Sequence, residues 1–208
     1  MVIKLSHRFF HVELLRRLHE LVYSKVHTPV TAGLLPRVLR RYVAINLYDG
    51  ALLALGVLTT STLLGLPPWE TVLSGLVIGT SSAISGFMGA FLVESAELRM
   101  ELRELEKHLF ITLGRRQVYV AGLIVSAVNA LSTPAPVLLS LMPYLLAHIG
   151  VIAPPLALVA ALAMTFTSLV FLGVWLAKIA GGGRLRYTLT VLASGLAILL
   201  LDIILGRH

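Results

Sequence analysis

Residues 42–66 read YVAINLYDGALLALGVLTTSTLLGL, and residues 71–93 read TVLSGLVIGTSSAISGFMGAFLV. The first stretch has Asp49 as its sole charge and the second has none. Each exceeds the roughly 20 residues that an α-helix needs to cross about 30 Å of hydrocarbon. Working outward, three more such stretches follow, at 118–147, 151–177 and 187–206. A soluble fold of this length has too much surface to hide five of them. Composition agrees: 57% of the 208 residues are hydrophobic and 13% charged, against about 45–50% and about 25% in ordinary globular domains. The mean hydropathy is +0.90. The sequence therefore specifies an all-α integral membrane protein with five transmembrane helices. The third stretch is too long for a straight crossing and contains Pro134, Pro136 and Pro143. It is expected to tilt or break near Ser132–Pro136.

Basic residues give the orientation. Eight Lys or Arg precede the first span, five lie between the second and third, three between the fourth and fifth, and Arg207 alone follows the last. The first–second and third–fourth connections have none. This alternation places the N-terminus in the cytoplasm and the C-terminus outside. It also accounts for the net charge of +7 without any nucleic-acid partner. With no cysteine in the chain, disulfides, zinc–thiolate sites and thiol nucleophiles are excluded. The first forty residues are charged and have no continuous apolar run, so no cleavable signal peptide is expected.

Residues 1–41 divide into an amphipathic helix and a linker. Leu14, Leu15, Leu18, Leu21 and Val22 share a face between Lys4 and Ser24, with Glu13, Arg16, Arg17 and Glu20 turned away. Such a basic helix lies on the anionic cytoplasmic surface. His7 and His11, four apart, extend that face and read as interfacial histidines or a metal-binding pair. Thr28–Pro36 holds two prolines and a glycine and reads as the linker into the membrane domain, 42–206.

Within the spans, Asp49 carries the most chemistry. A carboxylate there costs about 2.5–3.5 kcal/mol on insertion scales, and no span contains a Lys or Arg to neutralise it. The second span carries small residues at Gly75, Gly79, Ser82, Gly86 and Gly89, three or four apart, a seam for close helix approach. That seam, with a carboxylate needing a shielded path, predicts a homodimer to which the first two spans contribute. Met88 sits in the same span, and a thioether beside a carboxylate suits a borderline transition metal. Beyond it, a short acidic cytoplasmic extension is expected at 94–117. Glu94, Glu97, Glu101 and Glu104 fall with His108 in a helical stripe about 80° wide. Arg99, Arg103 and Lys107 take the opposite side, so like charges sit four apart, an arrangement that costs helix stability. The stripe reads as a cation-collecting surface or as a solvated helix whose basic face meets lipid.

These residues together resemble the vacuolar iron transporter family. Asp49-Gly50 followed by Ala51-Leu52-Leu53-Ala54-Leu55-Gly56-Val57 is similar to the opening of that family's first helix. The small residues leading to Met88 and then a Glu-rich helix resemble its second, and Leu141-Met142-Pro143-Tyr144-Leu145-Leu146 its Pro-Tyr-Leu-Leu signature. The likeness covers about residues 42–206. It departs at Leu92, where the family usually carries a glutamate, and in having a much shorter cytoplasmic region. The resemblance implies a dimer that moves divalent iron, and often manganese, out of the cytosol in exchange for protons. It also implies that Asp49 and Met88 line the path and that cytoplasmic glutamates gather the ion.

On this reading the chain is a multi-pass cell-membrane transporter, not an enzyme. Glu97, Glu101 and Glu104 concentrate the cation, and Glu94 passes it to Asp49 and Met88. Iron and manganese both remain open, and no resident cofactor is expected. A CDP-alcohol phosphotransferase also begins a motif with Asp-Gly, but position 53 is leucine and no second aspartate follows until Asp202. The remaining rival is a structural or assembly protein of the membrane that transports nothing.

Overall fold

The computed structural model describes residues 29–109 and 115–206. Six helices account for nearly all of them: α1 (Pro29–Leu63), α2 (Pro68–Leu109), α3 (Arg115–Ser132), α4 (Pro134–His148), α5 (Pro154–Ala180) and α6 (Arg184–Leu205). They supply five segments long and apolar enough to cross a membrane: Leu35–Leu63, Pro68–Met100, Tyr119–His148, Pro154–Ala180 and Arg184–Leu205. The described residues form no element but helices, and the protein is a multi-pass membrane protein. The amphipathic segment with His7 and His11 lies outside the described residues, as does the stretch 110–114.

The third span is broken where its prolines stand. Helix α3 ends at Ser132 and α4 resumes at Pro134. Pro134 and Pro136 have no N–H to return to the carbonyls of Ala130 and Ser132, so the ladder fails at two successive places. Proline acts differently in α1. The expected linker is helical from Pro29 onward, and Pro36 stands inside the helix, which corrects the boundary of the first span. Pro29 sits in the first turn, where a missing N–H is harmless, and Pro36 costs a single backbone bond. The second span and the acidic segment form one unbroken helix of 42 residues, about 63 Å long at 1.5 Å per residue. Its far end must project beyond the hydrocarbon.

Helix α1 touches each of the other five. Ala51, Ala54, Leu55, Val57 and Leu58 are buried on it. Leu55 packs with Leu169 and Val191, Val57 with Val137 and Leu141, and Leu58 with Val72, Tyr144, Ala157 and Ala161. Small residues allow these approaches: Gly195 faces Leu169 and Leu55, and Gly173 meets the Thr188 backbone. In a bilayer, where burial against lipid gains nothing, such contact area is the main source of packing energy. The outward faces are apolar, with Val77, Ile84 and Leu92 exposed on α2 and Leu196, Leu200 and Ile203 on α6.

The small residues of α2 are used within the chain. A Cβ at Gly75 would meet Leu141, one at Gly79 would lie 3.5 Å from Pro134, and one at Gly86 would lie 2.9 Å from Asn129 Nδ2. The seam therefore seats α2 on α3 and α4 of the same chain. Gly89 alone points into open space. With α2 held by α3 and α4, and α6 held by α5, the two flank α1 without closing over it.

Candidate functional site

A groove of about 880 Å³ lies between those flanks. Its floor is α1, from Asn46 to Ser61, with Leu64 and Leu66 beyond. Ser61 is fifteen positions past Asn46 on the helix, about 22 Å of rise, so the groove runs through most of the depth of the hydrocarbon. Polar groups line it on three sides. Helix α1 contributes Asn46, Asp49, Thr60 and Ser61, α2 contributes Ser74, Ser82 and Ser85, and the α3–α4 break contributes Thr133. Irregular backbone at membrane depth is tolerated where it lines a cavity or is buried in protein. Ile198 is the contribution of α6.

Asp49 is exposed in this groove. Its neighbour Gly50 is buried against the Thr133 carbonyl and the Pro136 ring, so the α3–α4 break fixes the height of the carboxylate. One turn below, Asn46 Nδ2 donates to Asn129 Oδ1, and Asn129 Nδ2 donates to the Gly86 carbonyl. Asn129 is buried, and through it α1, α2 and α3 are tied at one level. A hydrogen-bonded polar network inside an apolar body favours one helix register over its neighbours.

Lower still, Arg41 of α1 meets Glu94 of α2. The guanidinium Nη2 lies 3.5 Å from Glu94 Oε1, and Arg41 also packs over the Tyr42 ring, 5.5 Å from its centroid. The Glu94 side chain is only 4% exposed while that of Arg41 is 59% exposed. Glu94 Oε1 has no closer hydrogen-bond partner among the described residues. A carboxylate expected to hand a cation to Asp49 is thus held by an arginine. It lies eight residues beyond Gly86, about 12 Å along α2.

The other expected ligands are dispersed. Met88 is half exposed on α2 and does not line the groove. Glu97 and Glu104 are exposed on the same long helix, and the side chain of Glu101 lies outside the described positions. Among the described residues, no three His, Asp or Glu side chains converge on a point that would hold a metal ion. The groove therefore offers one carboxylate with hydroxyl and amide oxygens around it. Such a hard-donor set suits a hydrated cation in passage better than a tightly caged one.

Asn129 and Thr133 were not singled out from the sequence, although an Asn amid Val128 and Ala130 is a polar interruption in an apolar run. No family model matches the chain, and no solved structure matches it. It is similar to an uncharacterized protein, MJ0645, of Methanocaldococcus jannaschii, with 29% identity over 173 residues, covering 77% of this chain and 85% of the relative.

Proposed function

We propose that the protein carries divalent metal cations, iron or manganese, out of the cytosol across the cell membrane in exchange for protons. The observation that carries this reading is Asp49, an exposed carboxylate inside a groove that follows the C-terminal half of α1 and carries polar side chains among apolar ones. A carboxylate without a basic partner in a span is expensive, so its retention there marks an ion path. The resemblance of Asp49-Gly50 and its flanking residues to the vacuolar iron transporters supplies the substrate class and the direction. Ligand carboxylates must be ionised, so a proton and a metal compete for Asp49, and that competition is a route to exchange.

The distribution of Lys and Arg supports an N-terminus that faces the cytoplasm. The far half of α2, with Glu94, Glu97, Glu101 and Glu104, then projects into the cytosol as the face that meets the ion. Two copies of the chain form the working unit. The groove is open on one side, leaving Asp49 exposed, and Met88 stands exposed on the neighbouring flank of α2. A second copy laid over this side shields the carboxylate from lipid and allows Met88 of one copy to approach Asp49 of the other. A thioether added to oxygen ligands tilts preference toward iron.

Manganese binding to purified protein tests the reading. Asp49→Asn keeps the size and hydrogen-bonding capacity of the side chain while removing its charge, and is expected to abolish the groove's share of Mn²⁺ binding. Unchanged binding would favour the structural or assembly role.

A further inference from the structure

A separate cleft of about 510 Å³ opens between α1, α5 and α6, sharing no lining residue with the groove. Helix α1 lends it Ala44, Ile45 and Tyr48, and α6 lends it Arg186, Tyr187, Thr190 and Val191. Each set recurs at one and four residues, the spacing of a single helix face. Val191 is buried with Ala51, Leu55 and Leu169, and Tyr48 and Leu176 pack on that cluster, so the core closes the cleft from within. Ile45, Arg186 and Thr190 are exposed at its mouth. The two helices run the same way, since Leu63 meets Gly206 at their far ends.

We infer that this cleft binds an anionic membrane phospholipid by its phosphate and the first methylenes of a chain. Arg186 is the third residue of the span Arg184–Leu205, which sets the mouth at the membrane surface, where tyrosines collect. Charge is one-sided there. The three helices carry Lys178, Arg184 and Arg186 at this end, with Arg37 and Arg40 exposed where α1 enters. Their acids are Asp49 and Asp202. Asp49 lines the groove instead, and Asp202 is sixteen residues past Arg186, about 24 Å along α6. No acidic side chain lines the cleft. Basic pockets between spans take anionic headgroups.

The lining matches each part of such a lipid. A guanidinium offers two parallel N–H groups to the oxygens of a phosphodiester, and Arg186 is the lining residue that can do so. Thr190 Oγ1 donates to the Arg186 carbonyl at 2.9 Å, which leaves its lone pairs to accept from a headgroup hydroxyl. Ala44, Ile45, Leu176 and Val191 form an apolar wall for hydrocarbon. The volume lies within the range of small-ligand sites, about 300–1,000 Å³, so the rest of the lipid stays in the bilayer. A zwitterionic headgroup would bring its own cation to a mouth that already holds an arginine. A free phosphate would meet the arginine but leave the apolar wall uncovered. The inference does not depend on the role of Asp49.

Native mass spectrometry of the full chain in detergent tests this, with titration by phosphatidylglycerol or by phosphatidylcholine of the same chains. The parent is expected to hold phosphatidylglycerol about tenfold more tightly, the effect of one charge-assisted contact. Arg186→Gln, at an exposed position, should erase that preference, whereas Arg184→Gln, outside the cleft, should keep it. Ile45→Trp fills the mouth without changing its charge and should weaken the binding of both lipids. Glycerol phosphate at the same concentrations should displace neither. Equal affinity of the parent for the two lipids, or equal losses in Arg184→Gln and Arg186→Gln, would reveal a diffuse basic surface and overturn the inference. Displacement by glycerol phosphate would make this a site for a soluble phosphate and overturn it as well.

Discussion

Gly50→Ala adds one methyl group beside Asp49 and should be among the most damaging single-methyl changes in the membrane domain. A Cβ at position 50 falls inside van der Waals contact of the Thr133 carbonyl oxygen and 3.1 Å from Pro136 Cδ. Neither neighbour can swing away, because one is backbone and the other a closed ring. Ordinary contact is regained only if α1 and the α3–α4 break separate by roughly 1 Å. Overpacking of this kind costs about 1–3 kcal/mol, partly offset by the helix propensity that alanine gains over glycine, about 1 kcal/mol. Gly89→Ala is the matched control, since nothing lies within 4 Å of its Cβ position. Because neither neighbour can yield, the overpacking cost falls at the upper end, the net is about 2 kcal/mol, and Gly50→Ala should melt roughly 4–8 °C below the parent in mild detergent. Gly89→Ala should melt at or slightly above it. The displacement also shifts Asp49, so Mn²⁺ binding should fall in the first variant only. Equal melting temperatures for the two variants would refute the close α1-to-break contact that sets the position of the site.

Three further outcomes follow. Arg41→Gln leaves Glu94 buried without its partner. Because Arg41 is largely exposed, the cost should fall between that of surface and buried pairs, about 1–2 kcal/mol. Comparison with Glu94→Gln and the double variant should give a coupling of similar size, and additive effects would show that the contact contributes nothing. The chain has no cysteine, so single cysteines report cleanly: Glu97→Cys should label from the cytoplasmic side and Pro68→Cys from outside. Ser85→Cys on the rim of the groove should crosslink to a second copy. Labelling of Pro68→Cys only from the cytoplasm would reverse the topology, and absence of any Ser85→Cys dimer would remove the second copy from that side.

The five spans and the break in the third were legible because they depend on local chemistry: length of apolar run, and prolines that withhold N–H groups. The continuation of α1 through Pro36 was not. There the punctuation of Thr28–Pro36 outweighed the propensity of the residues around it. Neighbourhoods were the harder part. In a span such as 71–93 both faces are apolar, so periodicity does not tell which side meets protein and which meets lipid. The glycine seam was visible as a close-contact surface, but its partner, α3–α4 of the same chain, was not. Asp49 stood out because a lone charge in a span is expensive whatever surrounds it. Glu94 was assigned to a cation path from its place in an acidic stripe, whereas its contact with Arg41 joins residues 53 positions apart. Asn129 acquires meaning only through Asn46, on a different helix.

The central claim is that Asp49 lies on a path for divalent cations, and transport by the purified protein tests it most directly. Sealed proteoliposomes holding a fluorescent Mn²⁺ indicator are exposed to external Mn²⁺ with and without an imposed pH gradient. The parent should fill the vesicles, faster when the gradient drives protons the opposite way, and Asp49→Asn should fill no faster than empty liposomes. Uptake by Asp49→Asn at the parent's rate would contradict the account.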